Sequence, residues 1–193
     1  MRSIDIIGFA VAAATLAPGA AFAQDAAPFT GPYVGAVIGA DRLQGGGDHD
    51  DGFLYGGAVG WDWGFGQLRA GVEAEVTGST QEECEAGDAT GDRVCLEAGR
   101  DLYIGGRIGT LVGSSTMLYA KAGYSNARLS VDYDAASGIG SFRDGEDLDG
   151  VRLGAGIEHM LTRNIGLKAE YRYSNYENDV ERHQIVGGLT VRF

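Results

Sequence analysis

The sequence predicts an all-β fold, an eight-stranded antiparallel up-and-down β-barrel that crosses a membrane with its strands. Three observations carry that expectation. Eight segments alternate apolar and polar residues with period two, the connections between them alternate long and short, and the polar phase holds acids and bases in near balance. No apolar stretch in the 193 residues reaches the roughly 18 that a membrane helix needs. A barrel escapes that test, because its strands place an apolar residue only at every second position. Glycine is abundant, at 33 residues against three prolines, and no collagen-like triplet accompanies it. Asp and Glu outnumber Lys and Arg by 27 to 15, a net charge of −12, which argues against a nucleic-acid-binding surface.

Residues 1–23 have the layout of a secretory signal. Met1 and Arg2 open a short positive segment interrupted by Asp5, an apolar run covers residues 6–16, and Ala21, Phe22 and Ala23 form a small-residue cleavage site. Cleavage is expected between Ala23 and Gln24, leaving residues 24–193 as the exported barrel domain. Export bears on the two cysteines, Cys84 and Cys95, which have ten residues between them in a polar stretch. An even number in an oxidising compartment favours a disulfide over two free thiols. Closing so short a loop contributes roughly 2–3 kcal/mol. With no histidine or second cysteine pair nearby, the two thiols make a poor zinc site.

The alternating segments are residues 33–40, 53–63, 67–76, 101–111, 117–131, 150–160, 165–174 and 184–193. The third is the clearest, with Leu68, Ala70, Val72, Ala74 and Val76 on one face and Gln67, Arg69, Gly71, Glu73 and Glu75 on the other. The seventh repeats it, setting Ile165, Leu167, Ala169, Tyr171 and Tyr173 against Gly166, Lys168, Glu170 and Arg172. Helical spacing fits neither. The fifth changes phase between Tyr124 and Leu129, which predicts a bulge there.

The connections run long, short, long, short, long, short, long, at residues 41–52, 64–66, 77–100, 112–116, 132–149, 162–164 and 175–183. A soluble sandwich has no reason to alternate in this way. An up-and-down barrel with short periplasmic turns and long extracellular loops does. The four long connections gather 19 acidic residues against five arginines, so the acidity belongs to one surface.

The polar faces supply Asp62, Glu73, Glu75, Asp101, Glu158 and Glu170 together with Arg69, Arg107, Lys121, Arg152, Lys168, Arg172 and Arg192. Six acids against seven bases predict a shared, ion-paired lumen rather than a solvated exterior. An Arg or Lys turned to lipid at mid-membrane costs roughly 2–4 kcal/mol, and an interior holds it only when it is paired. A soluble barrel of the lipocalin kind would point its apolar residues inward instead. Polar-face glycines at positions 35, 39, 56, 60, 105, 109, 154 and 156 either make room for long Arg and Glu side chains in a narrow barrel or relieve its curvature. With the N-terminus periplasmic, Trp61, Trp63 and Phe193 fall at the periplasmic rim and Tyr55, Tyr124, Tyr171 and Tyr173 at the outer rim. That is the pattern of two aromatic girdles.

Several short motifs, in order, resemble the small eight-stranded outer-membrane barrels of Gram-negative bacteria, the opacity-protein and outer-membrane-protein-A-like superfamily of porin-like proteins. They are Gly31-Pro32-Tyr33-Val34-Gly35, Gly71-Val72-Glu73, Gly154-Ala155-Gly156-Ile157-Glu158, Glu170-Tyr171-Arg172-Tyr173 and the ending Gly188-Leu189-Thr190-Val191-Arg192-Phe193. The resemblance covers nearly all of residues 24–193. It implies that Gly188, Leu189, Val191 and Phe193 present the chain to the barrel-assembly machinery, with Val186 departing from the usual polar residue. It implies a location in the outer membrane, with lipid and lipopolysaccharide as partners. It also implies a choice of tasks: structural scaffold, adhesin, small pore or, occasionally, lipid-modifying enzyme.

An enzyme on such a barrel needs a nucleophile or an acid–base set near its rim. His159 has no serine at a fixed spacing, and His183, which follows Glu177, Asp179 and Glu181, is more simply a polar loop end. Asp48, His49, Asp50 and Asp51 fit no recognised calcium loop. The expectation is therefore a non-enzymatic structural and surface-interaction protein without a cofactor. Divalent cations at its acidic loops and an extracellular ligand would be its outer partners. The alternatives are a narrow, weakly cation-preferring pore, because a negative vestibule concentrates cations, and a rim hydrolase built on His183.

Overall fold

A computed structural model describes residues 28–45, 48–80, 82–86, 93–134, 142–177 and 180–193. The expected signal segment and its Ala23/Gln24 cleavage site lie outside the described residues. Among the described residues nine strands follow one another: β1 (Gly31–Gly45), β2 (Asp48–Phe65), β3 (Leu68–Ser79), β4 (Glu82–Ala86), β5 (Arg93–Leu111), β6 (Thr116–Asp134), β7 (Phe142–Met160), β8 (Ile165–Tyr176) and β9 (Val180–Arg192). Every pairing is antiparallel. β9 returns to β1 from Tyr33↔Arg192 to Gln44↔Glu181, and this ladder closes the sheet on itself. β3 and β4 both pair with β5, β3 as far as Gly78↔Arg100 and β4 from Glu82↔Glu97 onward. They are successive lengths of one wall, so the barrel has eight staves.

Each of the eight alternating segments coincides with a strand, only Gln67 and Phe193 falling one residue outside β3 and β9, and the period-two pattern explains why. On β3 and β8, alternate residues are buried and exposed almost without a break. The tight ends of the hairpins also have local causes. Gly66 (φ +66°) and Gly113 (φ +77°) adopt the left-handed backbone that a side chain would disfavour. At the third tight turn the Thr162 hydroxyl accepts hydrogen bonds from the amides of Asn164 (3.3 Å) and Ile165 (3.0 Å).

Two expectations need correction. The long connections are mostly strand rather than loop: β1 and β2 leave only residues 46–47 between them, and β5, β6 and β7 each run for 19 residues. A barrel strand needs about 9–11 residues to cross the bilayer, so these hairpins continue as paired ladder beyond it. These stretches lack the clean period-two alternation of the other segments, but hydrogen bonding to a neighbouring strand makes them strand all the same. The second correction concerns the bulge. β6 holds an unbroken register with β7, and the irregularity lies on its other neighbour, where Ala98↔Leu129 is followed by Asp101↔Ala127. The extra residue belongs to β5.

The outward face is apolar in a band bounded by aromatic rims. Val59, midway along β2 between Tyr55 and Trp61, is 55% exposed, and Ile104, Ile108, Val151 and Leu167 stand on the same outer surface. In water this surface would be a severe liability; against lipid it is the solvent-matched face. Val59→Arg should therefore lower the unfolding free energy by about 2–4 kcal/mol in lipid vesicles. The same substitution at Asp147, exposed beyond the outer rim, should change it by less than about 0.5 kcal/mol. Urea unfolding of the two variants checks both.

Candidate functional site: the ion-paired lumen

The inward phase of the strands is polar and almost wholly buried. Seven carboxylates (Asp41, Asp62, Glu73, Glu75, Asp101, Glu158 and Glu170) share it with eight cations (Arg69, Arg107, Lys121, Arg152, Lys168, Arg172, Arg182 and Arg192). They form a ladder from one mouth to the other. Nearest the periplasmic end, Asp62 lies between Arg107, whose Nε donates at 2.7 Å, and Arg192, whose Nη1 donates at 2.7 Å. Arg192 also reaches both oxygens of Glu158 at 3.1 Å, and Glu158 accepts from the Thr190 hydroxyl at 2.7 Å.

At mid-barrel, Lys121 bridges Glu73 and Glu170, with its ammonium 2.8 Å from each. Tyr33 donates to Glu73 at 2.7 Å and Tyr119 to Glu170 at 2.6 Å. Arg172 closes this layer, bonded to Glu170 through Nε and to Glu75 at 2.7 Å. Toward the outer mouth, Asp101 collects Arg152, Ser125 (2.8 Å), Tyr176 (3.1 Å) and Arg182 (2.9 Å), and Arg182 also pairs with Asp41. Charges removed from water in this way are costly unless matched, and here each carboxylate has at least one cation beside it.

Twelve of the thirteen lumen charges expected from the sequence stand in this ladder, Lys168 at its loose edge, 3.8 Å from Glu73. Arg69 does not. It is buried, but its guanidinium donates to the carbonyls of Pro28, Gly66 and Leu68, each at 2.8 Å. Asp41 and Arg182 are concealed in the sequence because they stand in the long acidic connections. The four inward tyrosines (Tyr33, Tyr103, Tyr119 and Tyr176) are concealed because an aromatic ring reads as apolar. Their position in the polar phase was the available signal. The nearest atoms beside the eight glycines expected on the polar faces belong to no Arg or Glu side chain, which corrects the expected reason for the space. A methyl group at Gly60, Gly105 or Gly156 would strike the ring of Tyr33, Tyr103 or Tyr119, and one at Gly154 would press on the Lys121 stem. At Gly39 and Gly56 it would strike the backbone of the next strand.

On the outer surface, Trp61, Trp63 and Phe193 are exposed at one rim and Tyr55, Tyr124 and Tyr171 at the other. Tyr173 is partly covered, donating to Glu181 at 2.8 Å and lying 5.2 Å from the His183 ring. Just above Tyr124, Asp149 accepts from that hydroxyl and from the Asn126 amide (2.7 Å), and both hold its carboxyl below the usual range. His183 bonds the Tyr171 hydroxyl at 2.7 Å and His159 the Thr116 hydroxyl at 2.9 Å. Leu189, Val191 and Phe193 face outward, Gly188 leaves space beside Lys168, and Val186 packs inside against Val37 and Leu54. That small apolar cluster is why position 186 is not polar. Cys84 and Cys95 are directly opposed in the β4–β5 ladder. The side chains of residues 48–51 lie outside those described.

A closed barrel with a lipid-matched exterior, two aromatic rims and a lumen of mutually neutralising charges defines a β-barrel membrane protein. The chain belongs to the outer membrane protein beta-barrel domain family, whose model matches residues 9–193. It is 29% identical over 150 residues to a 22 kDa outer membrane protein of Rhizobium leguminosarum bv. viciae, a match covering 77% of this chain and 61% of that protein. Neisserial surface protein A shares the fold with a TM-score of 0.60 at 19% identity, over 85% of this chain and 98% of that one. The attachment invasion locus protein Ail of Yersinia pestis shares it with a TM-score of 0.59 at 15% identity, over 84% of this chain and 99% of that one.

Glu73 faces three cations, Lys121 at 2.8 Å, Arg107 at 3.7 Å and Lys168 at 3.8 Å. Glu73→Gln should lower the unfolding free energy in vesicles by about 3–5 kcal/mol, because it leaves Arg107, Lys121 and Lys168 one buried carboxylate short. Adding Lys121→Met should restore a substantial part of the loss. Urea titrations of the single and double variants give the comparison.

Proposed function

We propose that this protein is a structural and surface-interaction protein of the outer membrane. Its barrel serves as a sealed anchor for the acidic hairpins that project from it. The observation that carries this reading is the lumen ladder, in which carboxylates from Asp62 to Asp41 are bridged by buried cations across the full height of the barrel. On this reading residues 1–23 direct export and are removed before Gln24, and the Gly188, Leu189, Val191 and Phe193 ending is read by the assembly machinery. The rim tyrosines and tryptophans then settle the barrel among lipid and lipopolysaccharide headgroups. A catalytic task for His183 finds little support, since its described partner is a tyrosine hydroxyl.

The hairpins set the chemistry of the outer face. With the lumen pair Asp41 and Arg182 set aside, the long connections keep eighteen acids against four arginines, which suits cationic partners, with divalent ions bridging them to lipid phosphates. Ail has been crystallised with a heparin analogue, sucrose octasulfate; a polyanion of that kind does not suit this acidic face. The direct opposition of Cys84 and Cys95 supports a disulfide, because antiparallel partners have Cα atoms about 4.5–5.5 Å apart, within the range a disulfide spans. Thiol titration of the denatured protein should give no reactive groups before reduction and two after it. In lipopolysaccharide vesicles, magnesium should slow tryptic cleavage after Arg93 and Arg143, and chelation should abolish that protection.

A narrow, cation-preferring pore is the second reading, and one observation favours it. Among the described residues Glu75 Oε1, Arg152 Nη1 and Lys168 Nζ have no hydrogen-bond partner, and Arg152 stands 3.6 Å from Glu75. Gaps of that width accept bridging water. The deciding experiment is single-channel recording of protein purified from outer membranes. A folded but silent barrel supports the anchor; reproducible steps altered by Glu75→Gln establish the pore.

A further inference from the structure

The residues just ahead of β1 do not trail away from the barrel. Phe29, at φ +59°, turns its ring into the periplasmic mouth and is 1% exposed. There it packs on Met117 and Tyr119, with Leu111 and Met160 at the edge, and the Arg192 guanidinium lies 5.4 Å from its ring centre. This socket, like the smaller clusters of Val37, Leu54 and Val186 and of Ala127, Leu148 and Tyr176, departs from the polar-inside rule of the lumen, and it is built for its occupant. A methyl group at Gly109 would press on Met117, and one at Gly156 would strike Tyr119. Arg69, the one lumen cation without a carboxylate among the described residues, fixes the segment from the other side by donating to the Pro28 carbonyl at 2.8 Å.

From these contacts we infer that residues 28–30 are a removable stopper of the periplasmic mouth, distinct from the charge ladder above it. Two features make it a two-position element. The segment precedes the first ladder pair, Gly31↔Asp62, so it withdraws without opening a strand. Its seated form holds a bulky residue in the left-handed region, which the local backbone resists, while burial of the ring favours it. The two effects oppose each other and are of the same order. Gly31, at φ +88°, is the pivot, and a side chain there would crowd the Phe193 carbonyl at 2.9 Å. When the stopper is seated it covers Met117, Tyr119 and, through Arg192, the Asp62–Glu158 layer. When it is withdrawn, water and small solutes reach that layer from below.

The test is the reactivity of Met117→Cys toward a charged, membrane-impermeant methanethiosulfonate, in folded protein with Cys84 and Cys95 replaced by serine. With Phe29 present the reporter should react at least about tenfold more slowly than with Phe29→Ala, and Arg69→Met should give an intermediate rate. Leu111→Cys serves as a second reporter should Met117→Cys fail to fold. Equal rates with and without Phe29, or a reporter already fast when Phe29 is present, would overturn the stopper. Neither result bears on whether the intact barrel conducts, so the anchor reading stands or falls separately.

Discussion

The structure depends on the neutralisation of charge inside a narrow barrel. A wall of eight strands has an interior that side chains can fill, and this chain fills it with carboxylates, guanidiniums and ammoniums. A lone charge there would cost several kcal/mol. Matched across the lumen, as Asp62 is by Arg107 and Arg192, the charges become ties between strands far apart in sequence. Arg172 on β8 reaches Glu75 on β3, and Arg182 on β9 reaches Asp101 on β5. These contacts cross the interior, where no backbone hydrogen bond can reach.

Other features follow from that constraint. Tyrosines stand among the charges because each supplies a ring to fill volume, and three of them aim a hydroxyl at a carboxylate. Glycines face them because a ring reaching inward needs an empty position beside it, as Gly60 provides for Tyr33. Most large apolar residues are left with the outer surface, which only lipid suits. Where the ladder ends at the periplasmic side, an apolar socket and the Phe29 ring take over the work of filling the mouth.

Most of this was legible in the sequence because a β-strand writes its two faces into alternate residues. The inward set on β3 and β8 could be read directly from residues 67–76 and 165–174. Legibility failed where a residue's type or its neighbourhood concealed its face. Asp41 and Arg182 stood in acidic stretches that resembled loop, and only the register Asp41↔Gln184, with Arg182 two residues along β9, shows them within the barrel wall. Arg69 obeyed the alternation yet bonds to backbone carbonyls, one of them from a segment with no periodicity of its own. Phe29 gave no sign at all, because a single residue ahead of the first strand has no pattern to belong to.

The charge ladder is tested most directly by a double-mutant cycle between Glu75 and Arg172, 2.7 Å apart across the lumen. Unfolding free energies in lipid vesicles would be measured for Glu75→Gln, Arg172→Gln and the pair. A sealed, mutually neutralised lumen predicts a favourable coupling of at least about 1 kcal/mol. Additivity within roughly 0.3–0.5 kcal/mol would mean that each charge is solvated on its own, and that the lumen is a water-filled passage rather than a packed interior.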